Sequence, residues 1–446
     1  MNGIAPVPGT DSVDPPRRTS DLPGRTSELL RFSTAGSIDD GKSTLIGRLL
    51  HDTHAIADDQ LAALEQASRR RSAAGIDLSL LTDGLRAERE QGITIDVAYR
   101  YFATPARRFI IADTPGHLQY TRNLVTGAST AELAVVLVDA RRGVLEQTRR
   151  HVAIAALLGV PHLVGAVNKM DLVGYDERVF VAIQEKLEAL AARVGVPEMT
   201  TVPISALCGD NVVRRSAAMP WYDGPPLLEH LETVELESGH DLVRRRFPVQ
   251  WVIRGDRSLA PDYRAYAGRV EGGVFRPGDQ VVVLPSGIRT RIAAIDTFEG
   301  PIGQALPPRS VAIRLVDEVD LGRGGLLVGP DDVPPPRCEL DLLVCWLGDA
   351  PLTPGARYVL QHTTRTVRAL VADIPHRVDI STLAREEAPG CLGPNDIGRV
   401  RLRLTEPVFA DPYRHNRSTG AAILIDPTTN TTVGAALVLA AGEDWP

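Results

Sequence analysis

Cysteine is scarce in this chain of 446 residues: only Cys208, Cys338, Cys345 and Cys391 occur, and no two form a C-x-x-C pair. That excludes a small disulfide framework and a closely spaced thiolate metal site, and it suits a reducing compartment in which the four are expected as buried hydrophobes. Positive charge is in deficit, with 49 Lys and Arg against 56 Asp and Glu for a formal charge of −7. A nucleic-acid partner gains from a basic excess, which this chain does not have. Long apolar runs are also missing: nothing approaches the ~18 consecutive apolar residues of a membrane helix. The first 28 residues contain no apolar signal core either. Neither a nucleic acid nor a membrane is therefore expected as a partner, and the cytoplasm is the expected location.

What is present is the mixture of a globular protein, with 43% apolar and 24% charged residues, in a chain long enough for two to four domains. Residues 1–28 are rich in Pro, Ser, Thr, Gly and Asp and read as a disordered tail. Over 29–240 short apolar runs alternate with amphipathic stretches. RFSTAG, FIIAD, LAVVLVDA, HLVGAVNK and TVPISAL read as buried parallel strands. LIGRLLHDTHAIADDQLAALEQ, EQTRRHVAIAALLG and DERVFVAIQEKLEALAARVG place apolar residues three and four apart, as helices do. The class is α/β, a doubly wound and mostly parallel sheet. Beyond 240 the segments are short, rich in Val and Ile and punctuated by Gly and Pro. They read as two antiparallel β-barrels, 241–332 and 333–446, joined through PDDVPPPR, whose three prolines cannot continue a strand.

Residues 36–43, GSIDDGKS, match G-x-x-x-x-G-K-S between a strand and a helix. Gly36 and Gly41 let the backbone curl so that its N–H groups surround a β-phosphate, Lys42 adds a cation, and Ser43 offers a hydroxyl to Mg2+. The helix that follows aims its N-terminal partial charge at the phosphates. On the next buried strand Asp113 opens DTPGH, where an acid can hold magnesium through water and Gly116 can present its N–H to a γ-phosphate. NKMD, residues 168–171, puts Asn168, Lys169 and Asp171 at the carboxyl end of another strand. Asp171 can accept from N1–H and the 2-amino group of guanine, a donor pair that adenine lacks. The SAL stretch at 205–207 can offer the N–H of Ala206 to O6. The expected ligand is GTP with Mg2+. The contact set runs through Gly36, Ser37, Ile38, Asp39, Asp40, Gly41, Lys42, Ser43 and Thr44, then Asp113, Thr114, Pro115, Gly116 and His117. It closes with Asn168, Lys169, Met170, Asp171, Ser205, Ala206 and Leu207. Between the first two motifs, Gly92-Ile93-Thr94 can close on the metal only while the γ-phosphate is present, as an order–disorder switch.

GSIDDGKS, EREQGITID, DTPGHLQY, NKMD and SAL together resemble the GTPases of the translation-factor class, over about residues 30–446. The resemblance implies a P-loop GTPase domain followed by two barrels. It also implies that His117 positions the attacking water, that Lys42 serves catalysis, that Ser43 and Thr94 bind Mg2+ with Asp113 acting through water, and that Ile38 and Ile93 gate His117. Within that class, Asp40 and Ser43 stand where elongation factors usually carry histidine and threonine. VDARRGVLEQTRRH, MPWYDGPPLLEHLE, NDIGRVRLRL and DPYRHNRSTGAAILID resemble the large, GTP-hydrolysing subunit of bacterial sulfate adenylyltransferases. Asp426-Pro427-Thr428-Thr429 departs from that family, which more often has arginine after the aspartate. The resemblance implies a separate small subunit that forms adenylyl sulfate from ATP and sulfate, in a heterodimer or larger assembly. Some members carry a fused kinase with a second phosphate loop. None is found in this sequence, so phosphorylation of the product is expected elsewhere. An elongation factor carrying aminoacyl-tRNA and a regulatory switch without a coupled reaction are the rival readings.

Overall fold

The computed structural model describes the chain apart from residues 1–27, 38, 57–58, 63, 65–77, 82–95, 117–120, 197–198, 237–240, 256–262, 380–381, 383 and 444–446. All but the last residue of the expected tail thus lies outside the described residues. Six strands form the first sheet: β1 Leu29–Ala35, β2 Ala98–Ala103, β3 Arg108–Asp113, β4 Leu133–Asp139, β5 His162–Asn168 and β6 Met199–Pro203. Their order is β2-β3-β1-β4-β5-β6, with β2 antiparallel at the edge and the others parallel.

Every residue of β4 is buried, because its alternate side chains serve two cores. Leu133, Val135 and Leu137 join the cluster containing Leu45, Ile46 and Leu49, whereas Ala134 and Val136 join the cluster containing Val152 and Ile154. A strand that is apolar on both faces needs helices on both. They are α1 Lys42–Asp52, α2 Thr121–Ser129, α3 Glu146–Leu157, α4 Glu177–Arg193 and α5 Leu227–Thr233. α1 and α5 cover one face; α2, α3 and α4 cover the other.

Two details differ from the sequence reading. The stretch from Leu45 that reads as helical by its spacing has helix again at residues 59–62 but is interrupted after Asp52, where α1 ends. There the Thr53 hydroxyl turns back to Leu49 O at 2.7 Å, the local bond by which threonine competes with helix continuation, and His54 adopts a left-handed φ of 55°. AYRYFA, which no strand pattern singled out, forms the edge strand β2. It exposes Tyr99 and Tyr101, so an apolar run could not have marked it.

The remaining strands close two barrels. β7 Arg246–Arg254, β8 Arg264–Arg269, β9 Gln280–Leu284, β10 Ile288–Thr297, β11 Gly300–Pro301, β12 Ser310–Leu315 and β13 Leu326–Val328 pair as β11-β10-β12-β8-β7-β13-β9, and β9 pairs back onto β10. β14 Arg337–Trp346, β15 Arg357–His362, β16 Arg365–Asp379, β17 Ala384–Glu387, β18 Ile397–Val408, β19 Ala421–Ile425 and β20 Thr432–Val438 pair as β15-β19-β20-β14-β18-β16-β17, closed by β15 on β16. Closure removes the exposed edges that an open sheet would present. The second barrel also shares a core with the first sheet's helices, since Leu343, Cys345, Tyr413 and Leu437 belong to the same cluster as Leu124, Val152 and Leu158. Of the cysteines expected inside, only Cys345 is buried. Cys208 sits on a turn and Cys338 on the outer side of β14, both exposed, and Cys391 is half-buried. No described helix is long and apolar enough to cross a membrane.

Candidate nucleotide site

The candidate residues gather at the carboxyl ends of β1, β3, β5 and β6, the edge where open α/β sheets bind ligands. Between β1 and α1 the chain turns through Gly36 to Gly41, with left-handed φ values of 71° at Asp39 and 95° at Gly41. Aspartate tolerates that region better than most residues. Gly41 is required twice over, because a Cβ there would also lie 2.4 Å from Asn168 Nδ2. Lys42, Ser43 and Thr44 open α1. The Lys42 ammonium donates to Gly36 O at 2.8 Å and Ser37 O at 3.0 Å, so the loop is curled around its own cation. Asp40 is 2% exposed and its carboxylate accepts from Ser37 N–H at 2.6 Å.

Asp113 ends β3 and accepts from the Thr34 hydroxyl at 3.2 Å; the Thr114 hydroxyl donates back to Thr34 O. Pro115 and Gly116 follow directly. A Cβ on Gly116 would lie 2.3 Å from Gly36 O and 2.6 Å from Lys42 Nζ, so only glycine lets this strand end reach the loop. The hydroxyl of Ser43 and the buried carboxylate of Asp113 are hard oxygen donors of the kind that Mg2+ accepts, alongside phosphate and water.

The base side is built from β5 and β6. Asn168 Nδ2 donates to Asp40 O at 2.8 Å, and Asn168 Oδ1 accepts from the N–H groups of Lys169 at 2.8 Å and Ala206 at 2.9 Å. Lys169 holds a left-handed φ of 65°, a local cost of the kind that concentrates at binding sites. Met170 is fully buried beneath it. Asp171 follows in a short 3-10 turn, and its Oδ1 is buried with no hydrogen-bond partner among the described residues. A buried carboxylate oxygen without a donor is costly unless a ligand supplies one. Guanine, with N1–H and the 2-amino group, has the complementary donors. Ser205 is fully buried, and Ser205, Ala206 and Leu207 form the turn after β6.

Electrostatics follow from burial. Burial lowers the Lys42 ammonium from its ordinary value, against the pull of Asp113, Asp40 and Asp39, and burial raises the Asp40 carboxyl against its Ser37 hydrogen bond and Lys42. Sequence reading missed Asp139, which ends β4 between the phosphate-loop strand and the NKMD strand. Its carboxylate accepts from Arg141 Nη2 at 2.6 Å and lies 3.0 Å from Lys169 Nζ. Burial works against its charge, but the Arg141 and Lys169 contacts prevail and hold it below the ordinary carboxylate range. The signal available was position, an acid at the end of the strand beside NKMD. Ile38, Ile93, Thr94 and His117 lie outside the described residues.

A curled phosphate loop, a glycine strand end against it and a buried, unpartnered carboxylate oxygen on the aspartate of NKMD, all on one sheet edge, define the GTP-binding domain of the translation-factor GTPase class. Residues 27–237 match the family model of the elongation factor Tu GTP binding domain, and residues 339–439 match the GTP-eEF1A C-terminal domain-like model. The chain is 57% identical over 412 residues to the bifunctional enzyme CysN/CysC of Mycobacterium tuberculosis, covering 92% of this chain and 67% of that protein. It is 48% identical to sulfate adenylyltransferase subunit 1 of Alteromonas mediterranea, covering 92% of this chain and 87% of that one. It is 50% identical to the same subunit of Citrobacter koseri, at 92% and 86% coverage. The chain belongs to the sulfate adenylyltransferase subunit 1 family.

Proposed function

We propose that this chain is the GTP-hydrolysing subunit of a sulfate adenylyltransferase, acting in the first step of sulfate assimilation. A sulfate oxygen attacks the α-phosphorus of ATP, the bond to the β-phosphate breaks, and pyrophosphate leaves adenylyl sulfate behind. That transfer takes place on a separate small subunit, and this chain couples it to GTP hydrolysis. The observation that carries the reading is the identity of about half of all residues to named subunits over 92% of the chain, barrels included. The buried Oδ1 of Asp171, without a donor among the described residues, supports guanine as the base.

In this reading the loop from Gly36 to Thr44 wraps the phosphates, and Lys42 exchanges its two loop carbonyls for phosphate oxygens. Ser43, Thr94 and, through water, Asp113 would hold Mg2+, which supplies positive charge to the developing phosphate oxygens. His117 orients the attacking water, Ile38 and Ile93 shield it, and Asn168, Lys169, Asp171 and the Ser205–Leu207 turn hold guanine. Coupling requires the GTP and GDP states to bind the partner or its intermediates with different free energy. The test is co-expression with the small subunit and an assay of GTP hydrolysis with and without ATP and sulfate. Hydrolysis that needs both, and product yield that falls with a non-hydrolysable GTP analogue, is expected. GTP turnover indifferent to sulfate but stimulated by ribosomes would replace this reading with the elongation-factor one.

A further inference from the structure

Arg48 lies on α1, on the far side of the base-binding turn from Asn168. Its Nε donates to Ala206 O at 3.1 Å and its Nη2 donates to Leu207 O. Its Nη1 reaches Asp52 Oδ1, one turn further along the helix, at 3.4 Å. Gly209, in a left-handed conformation with φ of 87°, closes the turn over the Arg48 stem, where a Cβ would meet Cδ at 3.6 Å. The guanidinium is a planar fork with fixed donor directions, suited to two neighbouring carbonyls in a way that a lysine ammonium is not.

Holding those carbonyls has a consequence across the peptide plane. In a trans peptide the C=O and N–H point in opposite directions. With Ala206 O and Leu207 O drawn to α1, the N–H groups of Leu207 and Cys208 turn away from it. The Cys208 N–H is then met by Ser205 Oγ at 3.1 Å, and the Ala206 N–H by Asn168 Oδ1 at 2.9 Å. We infer that Arg48 is a specificity-positioning residue: from behind, it sets the 205–207 turn so that the Leu207 N–H faces the oxygen at C6 of the base, the Ser205 N–H being held by Asp210 O. This rests on the guanine site proposed above.

The test is equilibrium competition against a fluorescent GDP by GTP, ITP and 6-thio-GTP, in the wild-type chain, Arg48→Met and Arg48→Lys. ITP lacks the 2-amino group and reads the Asp171 contact; 6-thio-GTP replaces O6 with a weakly accepting sulfur and reads the turn. Wild type is expected to prefer GTP over 6-thio-GTP by ~10-fold, the size of one good hydrogen bond. Arg48→Met should bring that ratio within ~3-fold while the GTP-to-ITP ratio stays at its wild-type value. Arg48→Lys, which keeps the charge without the fork, should fall between them. Unchanged ratios in both variants overturn the inference. So does a parallel fall of both ratios, which would mark Arg48 as a general structural support. A wild type indifferent to the C6 substitution would instead sink the reading of the turn as the O6 site, and the inference with it.

Discussion

Asn168 donates its side-chain amide to the main-chain oxygen of Asp40 across 2.8 Å, which makes the NKMD strand end and the phosphate loop one hydrogen-bonded body. The same side chain accepts from Ala206 N–H, so a third segment is tied to the first two through one residue. Asn168 is 2% exposed, and none of these groups can turn to water if it is lost.

Replacing Asn168 with alanine strands Asp40 O and two N–H groups, each unsatisfied buried group costing ~1–3 kcal/mol. Affinity for GDP and GTP is expected to fall together by ~10²-fold or more. Titration of a fluorescent nucleotide measures this; a folded Asn168→Ala protein with wild-type GDP affinity would refute it.

Asp171→Asn tests the base assignment itself. Exchanging one carboxylate oxygen for an amide removes an acceptor from the guanine donor pair, and a loss of ~2–4 kcal/mol in GTP binding is expected for a buried site. Equal GTP affinity in mutant and parent contradicts the assignment.

The two barrels are joined by a buried ion pair. Arg246 is 1% exposed, and it donates through Nε to Asp411 Oδ2 and through Nη2 to Asp411 Oδ1, both at 2.8 Å. Asp411 also accepts from the Thr419 hydroxyl at 2.6 Å. Arg246→Met leaves that carboxylate buried without its cation and should cost ~3–5 kcal/mol, most of it recovered when Asp411 is also made apolar. Burial raises the Asp411 carboxyl, but the Arg246 hydrogen bonds and charge outweigh it and hold it below the ordinary value. A carboxyl lowered in the folded state stabilises above the unfolded value of about 4 and loses that contribution as pH falls toward the folded one. Denaturation midpoints of wild type and variant should therefore converge in acid; a constant gap down to about pH 3 would contradict the pairing.

His151 provides the opposite kind of titration. It lies buried in α3 with Nδ1 lacking any hydrogen-bond partner among the described residues. Burial, with the positive charges of Lys42 and Arg150, pushes its imidazole down to about 3. Between the unfolded value near 6.5 and that folded value, the unfolded chain takes up a proton that the native state refuses, so stability falls as pH falls, by about 1.4 kcal/mol per pH unit. His151→Gln removes this term. Its melting temperature should decline less than wild type's between about pH 7 and about pH 5, and identical slopes would show that His151 charges without penalty in the fold.

The phosphate loop, the DTPG strand end and NKMD were legible because each is a contiguous segment whose chemistry depends on local order: glycines where the backbone must curl, an acid one step beyond a buried strand. The apolar runs of β4 and β5 announced burial on both faces, and with it helices on both sides. Asp139 and Arg48 carried no such mark. An acid after LAVVLV and an arginine inside LIGRLL gain their partners only when β4 lies beside β5 and α1 lies against the turn after β6.

The identity and order of the chemical groups at the candidate nucleotide site, the alternation that makes an α/β sheet and the strand spacing of two barrels follow from the sequence alone, since each depends on neighbours a few residues apart. Tertiary structure alone decides which carbonyls Arg48 holds, that Asn168 binds the phosphate loop to the base turn, that Arg246 meets Asp411 across 165 positions of chain, and that the second barrel shares a core with α2 and α3. Those contacts join segments distant in sequence, and only the energy of burying both partners together selects them.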